Sequence, residues 1–178
     1  VYYGLDCQML LYLFTLERNG GHLFPQGTAA GVEYLWADPA PENIIRPETD
    51  DAEPEQAQNY PLEGLLLDEP SIYHAMDTKG TGTFVPHSFS AKTGEPTAQS
   101  AKARLADRDK LDRIRDHLDG MLTDMAKNLY SGEIDAAPLV PNAGKSPCLW
   151  CEYRTVCRHA DGEGERTPLK PDDPFGAE

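Results

Sequence analysis

Basic residues are scarce in this chain. Its 178 residues include 16 Lys and Arg against 30 Asp and Glu, a net charge of −14. That balance excludes strong non-specific binding to nucleic acid by this chain alone. Cysteine is scarce too, with four in all, three of them clustered. Such usage excludes the disulfide framework of a small secreted domain and favours a thiolate metal site in a reducing compartment. No apolar run approaches the roughly 20 residues that a membrane-spanning helix needs. The first apolar stretch has no basic leader and no small-residue cleavage site, so it does not read as a signal peptide. A cytoplasmic protein with no membrane partner is expected. Apolar residues make up 39%, few for a compact domain, so part of the length is expected to be loop or tail. No internal repeat is present.

The chain enters almost at once into an apolar helix, "VYYGLDCQMLLYLFTLERNGG". Leu5, Met9, Leu10, Leu11, Leu13, Phe14 and Leu16 cover most of its circumference, which predicts burial among other elements. Asn19-Gly20-Gly21 is a stop signal, because Asn and Gly tolerate the left-handed conformation there. A domain rarely starts with its most buried helix, so the chain is expected to be the C-terminal piece of a longer protein.

"TAAGVEYLWADP" alternates as a strand, with Val32, Tyr34 and Trp36 on one face. From Asp38 to Asn59 the composition turns acidic and proline-rich, which predicts a flexible insertion. "LEGLLLDEPSIYHAMD" predicts a short strand at Leu65–Leu67 and a helical turn or two from Pro70 to Met76. "FVPHSFSAKTGE" reads as a strand and a turn, at a sheet edge because of Pro86. A second strong helix follows, with Asp107 as N-cap. Its apolar positions are Leu111, Ile114, Leu118, Met121, Leu122, Met125 and Leu129, in steps of three and four. Arg108, Asp112, Arg115, Asp116, Asp119 and Lys127 read as its solvated face. Nucleic-acid contact by Arg108, Arg113 or Arg115 is the alternative. Ser131-Gly132 ends the helix. The cysteine segment, 146–160, is expected to be irregular, and 161–178 to be a disordered tail.

Two groups of residues carry chemistry. Gln8 and Tyr12 are four apart, so they share a face of the first helix. Both are polar-tipped in an apolar setting. A Gln amide donates and accepts, so it can orient a phosphate, a carboxylate or a metal-bound water. Taken alone, the pair is better read as satisfying neighbouring backbone. The second group is Cys148, Cys151 and Cys157, a C-x2-C-x5-C arrangement. Three thiolates need a fourth ligand for a zinc site or an iron–sulfur cluster. His159 completes a Cys3His zinc site. A cluster needs another thiolate, and spacing does not choose between the two. Cys7 reads as a small buried residue, since a cluster beside Gln8 would displace whatever Gln8 serves.

Together, the Q-x-x-x-Y helix in "YYGLDCQMLLYL", the segments "LEGLLLDEPSIYHAMD" and "YSGEIDAAPLV", and "SPCLWCEYRTVCRHA" resemble the RecB-like nucleases of the PD-(D/E)XK superfamily. Within them they are similar to the AddB family, the nuclease-bearing subunits of bacterial AddAB helicase–nucleases. The resemblance runs from Val1 to about Ala160, with the acidic insertion as an outlier. It implies an α/β class: the C-terminal part of a restriction-endonuclease-like nuclease domain over 1–160, ending in an iron–sulfur segment. It implies that Gln8 and Tyr12 serve the active site. It implies that Cys148, Cys151 and Cys157 hold a [4Fe–4S] cluster with a fourth cysteine outside this chain. The Mg2+ ligands and the D-x-K motif fall before Val1, and Asp6 has no D-x-K around it to replace them. The implied parent is a DNA exonuclease subunit in double-strand break repair and recombination, paired with an AddA-like helicase/nuclease subunit. The isolated chain is expected to be inactive. A Cas4-type or other RecB-like iron–sulfur nuclease shares the cysteine spacing. A zinc-stabilised interaction module without catalysis is the reading from another class.

Overall fold

The computed structural model describes residues 1–25, 27–35, 62–79, 82, 84–140, 146–157, 159, 164–168 and 174–175. The chain divides into two compact units, one of Gln8–Asp112 and one of Val1–Cys7 with Arg113–Glu178. The expected insertion at 38–59 lies outside the described residues, as does Trp36.

The first of these units is built on a three-stranded sheet. Helix α1 (Gln8–Asn19) runs into a 3-10 turn (Gly20–His22), followed by strand β1 (Gly31–Leu35). Strand β2 (Leu62–Leu67) pairs antiparallel with β1, from Gly31 opposite Leu66 to Leu35 opposite Leu62. Helix α2 (Pro70–Met76) begins on a proline, whose missing N–H costs nothing in a first turn. Helix α3 (Ala98–Arg104) leads into the two-residue strand β3 (Leu105–Ala106), parallel to β2. The strand order is β1-β2-β3. Gly64 stands where β2 passes closest to β1. A Cβ there would collide with the Val32 carbonyl, so no larger residue fits.

Successive strand residues face opposite ways, and β2 uses both faces. Leu66 packs with Tyr73, Val85 and Leu105, backed by Phe89 and Ala101. Leu67 packs with Ala106 and Leu111, backed by Leu65 and Ile72. Helix α2 serves both clusters, with Tyr73 in one and Ile72 in the other.

The predicted strand around Phe84–Phe89 is replaced by bends that bury Val85, Pro86 and His87. After them the backbone makes a tight hairpin. Thr97 N donates to Ser88 O (2.8 Å) and Ser90 N to Glu95 O (2.7 Å). Proline cannot donate to a ladder, which accounts for the loss of the strand at Pro86. Neither α3 nor β3 was expected from the sequence. "AQSAKAR" has no apolar stripe, and β3 is too short to show a period.

Helix α4 (Arg108–Ser131) runs through the boundary between the units. Asp107 Oδ1 accepts the Lys110 N–H at 2.6 Å, the expected N-cap. Gly132 at φ +78° closes the other end, with Glu133 N bonding Asn128 O and Gly132 N bonding Leu129 O. Those two bonds make a Schellman motif.

Two expectations about helix burial are corrected. Only Leu10 and Phe14 of α1 are buried, while Leu16 is half-exposed and so is Leu5 before the helix. The α4 stripe is buried at Leu111, Ile114 and Leu118 but exposed at Leu122, Met125 and Leu129. Periodicity identifies an apolar face; it does not supply what covers it. A third correction concerns charge. Arg108 is not solvated but bonds Glu17 at 3.2 Å, and Arg113 Nε donates to Phe175 O at 2.9 Å.

In the second unit the start of the chain packs on α4. The Tyr2 ring stacks on His117 at 4.9 Å, and His117 Nε2 bonds Tyr2 O at 2.8 Å. Phe175 completes this aromatic group, edge-on to both rings. Gly4 lies against Met121 and Met125. Within the stretch expected as a tail, Arg166 bridges to Leu139, and its backbone bonds Val140 and Pro138 at 2.9 Å each. The cysteine segment, expected to be irregular, forms a 3-10 turn (Pro147–Trp150) and a one-turn helix, α5 (Arg154–Cys157). Among the described residues, no helix is long and apolar enough to cross a membrane.

Candidate functional site

The backbone before α1 takes two left-handed positions, Gly4 at φ +79° and Asp6 at φ +56°. Among the described residues Asp6 is the only non-glycine there, and Asp tolerates that region through its short polar side chain. This kink turns the chain into α1 with Gln8 as its first residue. Cys7 is buried at the kink, its thiol 3.5 Å from Val1 O and 3.4 Å from Leu5 O. Burial pushes the thiol pKa up, helped by Asp6 and opposed by the amino terminus. Cys7 is thus a protonated, weakly donating thiol.

One turn into the helix, Gln8 Nε2 donates to Tyr12 Oη at 2.9 Å. Both side chains are exposed, Tyr12 at 53%. They do not satisfy neighbouring backbone; they satisfy each other. The bond leaves the Gln8 carbonyl oxygen, its second N–H and the Tyr12 hydroxyl proton available to a ligand. On the same helix, Glu17 Oε1 accepts from Ala29 N at 3.1 Å and from Arg108 Nη2 at 3.2 Å. Glu17 is committed to the fold, and the pair at the helix start is not.

The three clustered cysteines are free thiols. Ser146 Oγ caps the 3-10 turn by accepting from Cys148 N at 3.3 Å. Cys157 N bonds Tyr153 O at 2.8 Å and Arg154 N bonds Cys151 O at 3.2 Å. Neither short element buries a residue, and Trp150, Tyr153 and Val156 stand largely exposed. A segment with no core of its own, three free thiols and outward apolar side chains has the donor chemistry of a thiolate metal centre. Among the described residues, no three Cys, His, Asp or Glu side chains come together as metal ligands. His159 Nε2 is buried without a hydrogen-bond partner.

Three polar side chains escaped the sequence reading. Asp77 is 2% exposed and its Oδ2 accepts the Gly82 N–H at 2.6 Å, closing the loop after α2. An Asp at a helix end with Gly five residues on is the signal that marks it. His87 is 3% exposed, with both ring nitrogens buried and unpartnered, between the rings of Tyr73 and Phe89. Burial lowers its pKa, against the pull of Asp68 and Asp77. Glu33 on β1 has one buried, unpartnered carboxylate oxygen, and burial raises its pKa. Nothing in the local pattern singles out either of these two.

The profile of the PD-(D/E)XK nuclease superfamily matches residues 1–158. The chain is similar to several proteins named as the AddB-type component of an ATP-dependent helicase/deoxyribonuclease. That from Symbiobacterium thermophilum is 32% identical over 163 residues, 88% of this chain and 13% of its own length. That from Bacillus subtilis is 27% identical over 177 residues, 96% of this chain and 15% of its own. That from Thermoanaerobacter sp. is 28% identical over 165 residues, 89% of this chain and 14% of its own. The chain therefore spans about one seventh of the length of the curated relatives it matches. The match across most of the chain, with the exposed Gln8–Tyr12 pair inside it, identifies the chain as a member of the PD-(D/E)XK nuclease superfamily.

Proposed function

We propose that this chain is the C-terminal part of the nuclease domain of an AddB-type helicase/deoxyribonuclease component, a metal-dependent DNA exonuclease in double-strand break repair and recombination. The observation that carries the reading is the Gln8–Tyr12 pair, exposed at the start of α1 in a chain that matches the superfamily over residues 1–158. The relatives' shared name supports the assignment to that component. By the same reading the protein is cytoplasmic, its substrate is DNA, and its partner is an AddA-like helicase subunit.

In the active site, a Mg2+ held by residues outside this chain would polarise the phosphate and lower the pKa of a bound water. Gln8 orients. Its engaged N–H fixes the amide plane against Tyr12, and its free N–H and carbonyl oxygen address a phosphate oxygen and a water. Tyr12 holds that amide in place and offers its hydroxyl proton as a further donor. A preorganised donor aimed at developing charge needs no reorganisation at the moment of reaction. Glu17, committed to Arg108 and Ala29, takes no part. Without the metal ligands the isolated chain is inactive.

Cys148, Cys151 and Cys157 would hold a [4Fe–4S] cluster with one thiolate from outside this chain. Its role is structural, closing a long loop whose entropic benefit grows with length. A Cys3His zinc site is the second reading, favoured by the orphaned His159 Nε2.

The nuclease reading is tested with the full-length protein on linear DNA. Cleavage that requires Mg2+ and stops with chelator supports it. DNA left intact by the purified heterodimer overturns it.

A further inference from the structure

Phosphate contacts need cations that the protein has not already neutralised. Among the described residues, most are. Arg104 pairs with Glu63, Arg108 with Glu17, Arg115 with Asp116 and Lys127 with Asp124. Arg113 and Arg166 donate to backbone carbonyls, and Arg18, Lys110 and Arg154 also have partners. The described lysines and arginines left with no side-chain partner are Lys79, Lys92 and Lys102, all exposed.

These three belong to one lobe. Tyr73 of α2, Phe89 of the hairpin and Ala101 of α3 converge on the Leu66–Val85–Leu105 cluster. Each of those elements carries one of the lysines. Lys79 follows the end of α2, Lys92 is in the hairpin tip, and Lys102 adjoins Ala101. The tip is fixed by its own bonds. Gly94 N donates to Ser90 O at 2.8 Å, Lys92 N to Ser90 Oγ at 3.3 Å and Glu95 N to Thr93 Oγ1 at 3.3 Å. Lys92 is therefore presented on a stiff support. In a chain of net charge −14, uncommitted cations confined to one small lobe are unlike the rest of the surface.

We infer that the lobe of α2, the 88–97 hairpin and α3 is a surface for the DNA sugar–phosphate backbone, with Lys79, Lys92 and Lys102 as its phosphate contacts. The inference rests on the nuclease reading and adds to it where the strand runs. Glu69 and Glu95, exposed on the same lobe, keep the patch from being uniformly positive. The lobe thus adds affinity to binding made elsewhere in the full-length protein. Its contacts are to backbone and carry no sequence preference.

The test is binding of a fluorescent single-stranded oligonucleotide to the full-length protein, followed by anisotropy from about 50 to 200 mM salt. Each phosphate contact with a single strand contributes about 0.7 to the slope of log K against log salt. The Lys79→Ala/Lys92→Ala/Lys102→Ala variant should lose about two units of slope and bind about tenfold or more weakly at low salt. The matching triple Lys→Arg variant should retain both. Unchanged slope and affinity in the alanine variant would overturn the inference, as would equal losses in the arginine variant. If the wild type cleaves DNA and the alanine variant binds normally, only this surface is wrong. If the wild type neither binds nor cleaves DNA, the nuclease reading falls and this inference with it.

Discussion

Glu17 and Arg108 meet across 91 residues of sequence, Oε1 to Nη2 at 3.2 Å, and the same oxygen accepts from Ala29 N. One carboxylate ties α1 to the lead-in of β1 and to the first residue of α4. Glu17→Ala leaves a half-buried guanidinium and a backbone N–H without their acceptor. The cost is about 1–3 kcal/mol. A loss of that size lowers the melting temperature by several degrees, at about 2–4 °C per kcal/mol for a chain of this length. Thermal unfolding followed by circular dichroism checks it, with Thr15→Ala as the exposed control.

Leu35 and Leu62 are register partners, although 26 residues separate them. Antiparallel strands with adjacent ends need only a short connection. Replacing 38–59 by a short Gly/Ser linker should leave soluble expression, melting temperature and cleavage by the full-length protein intact. Loop closure depends weakly on length. Loss of soluble protein would show that the segment has a structural part to play.

His87 gives a pH dependence of fixed sign. Its folded pKa lies below the ordinary 6.5 because burial disfavours the charged ring. The unfolded chain therefore binds more protons than the folded one as pH falls below that value. The stability His87 contributes is present above about pH 6.5 and is lost as pH falls through the folded pKa. His87→Phe should flatten the decline in melting temperature on acidification through that window. A decline unchanged in the variant would assign it to other groups.

What was legible in the sequence and what was not follows from range. The predicted helix at Pro70–Met76 has those bounds in the structure, and Asp107 and Gly132 cap α4, because turn and cap chemistry is local. The four-residue spacing of Gln8 and Tyr12 placed them together, but only the fold shows that they bond each other on an open face. Arg108 read as solvated because its partner lies in another helix. β3 exists only by pairing with β2, and α3 only by packing Ala101 beneath it, so neither left a period to read.

The cysteine segment buries nothing of its own, so metal binding should supply its folding free energy. Full-length protein purified without oxygen should be brown and contain iron and sulfide. Cys148→Ser or Cys157→Ser should remove the colour and make the segment protease-sensitive. The isolated chain, with three of four thiolates, should hold a cluster poorly. Colourless protein with one equivalent of zinc, lost on His159→Ala, would establish the zinc reading instead.

The central claim is that Gln8 acts in DNA cleavage and not in holding the fold. Its side chain is exposed and bonds only Tyr12, so Gln8→Ala should change stability by no more than about 0.5 kcal/mol. Loss of a preorganised donor at a reacting phosphate costs about 10²–10³ in rate. The direct measurement is Mg2+-dependent DNA cleavage by full-length Gln8→Ala protein, with its melting temperature taken alongside. The account predicts cleavage down by about two orders of magnitude with the melting temperature within about 2 °C of wild type. A marked loss of stability with cleavage preserved would contradict it.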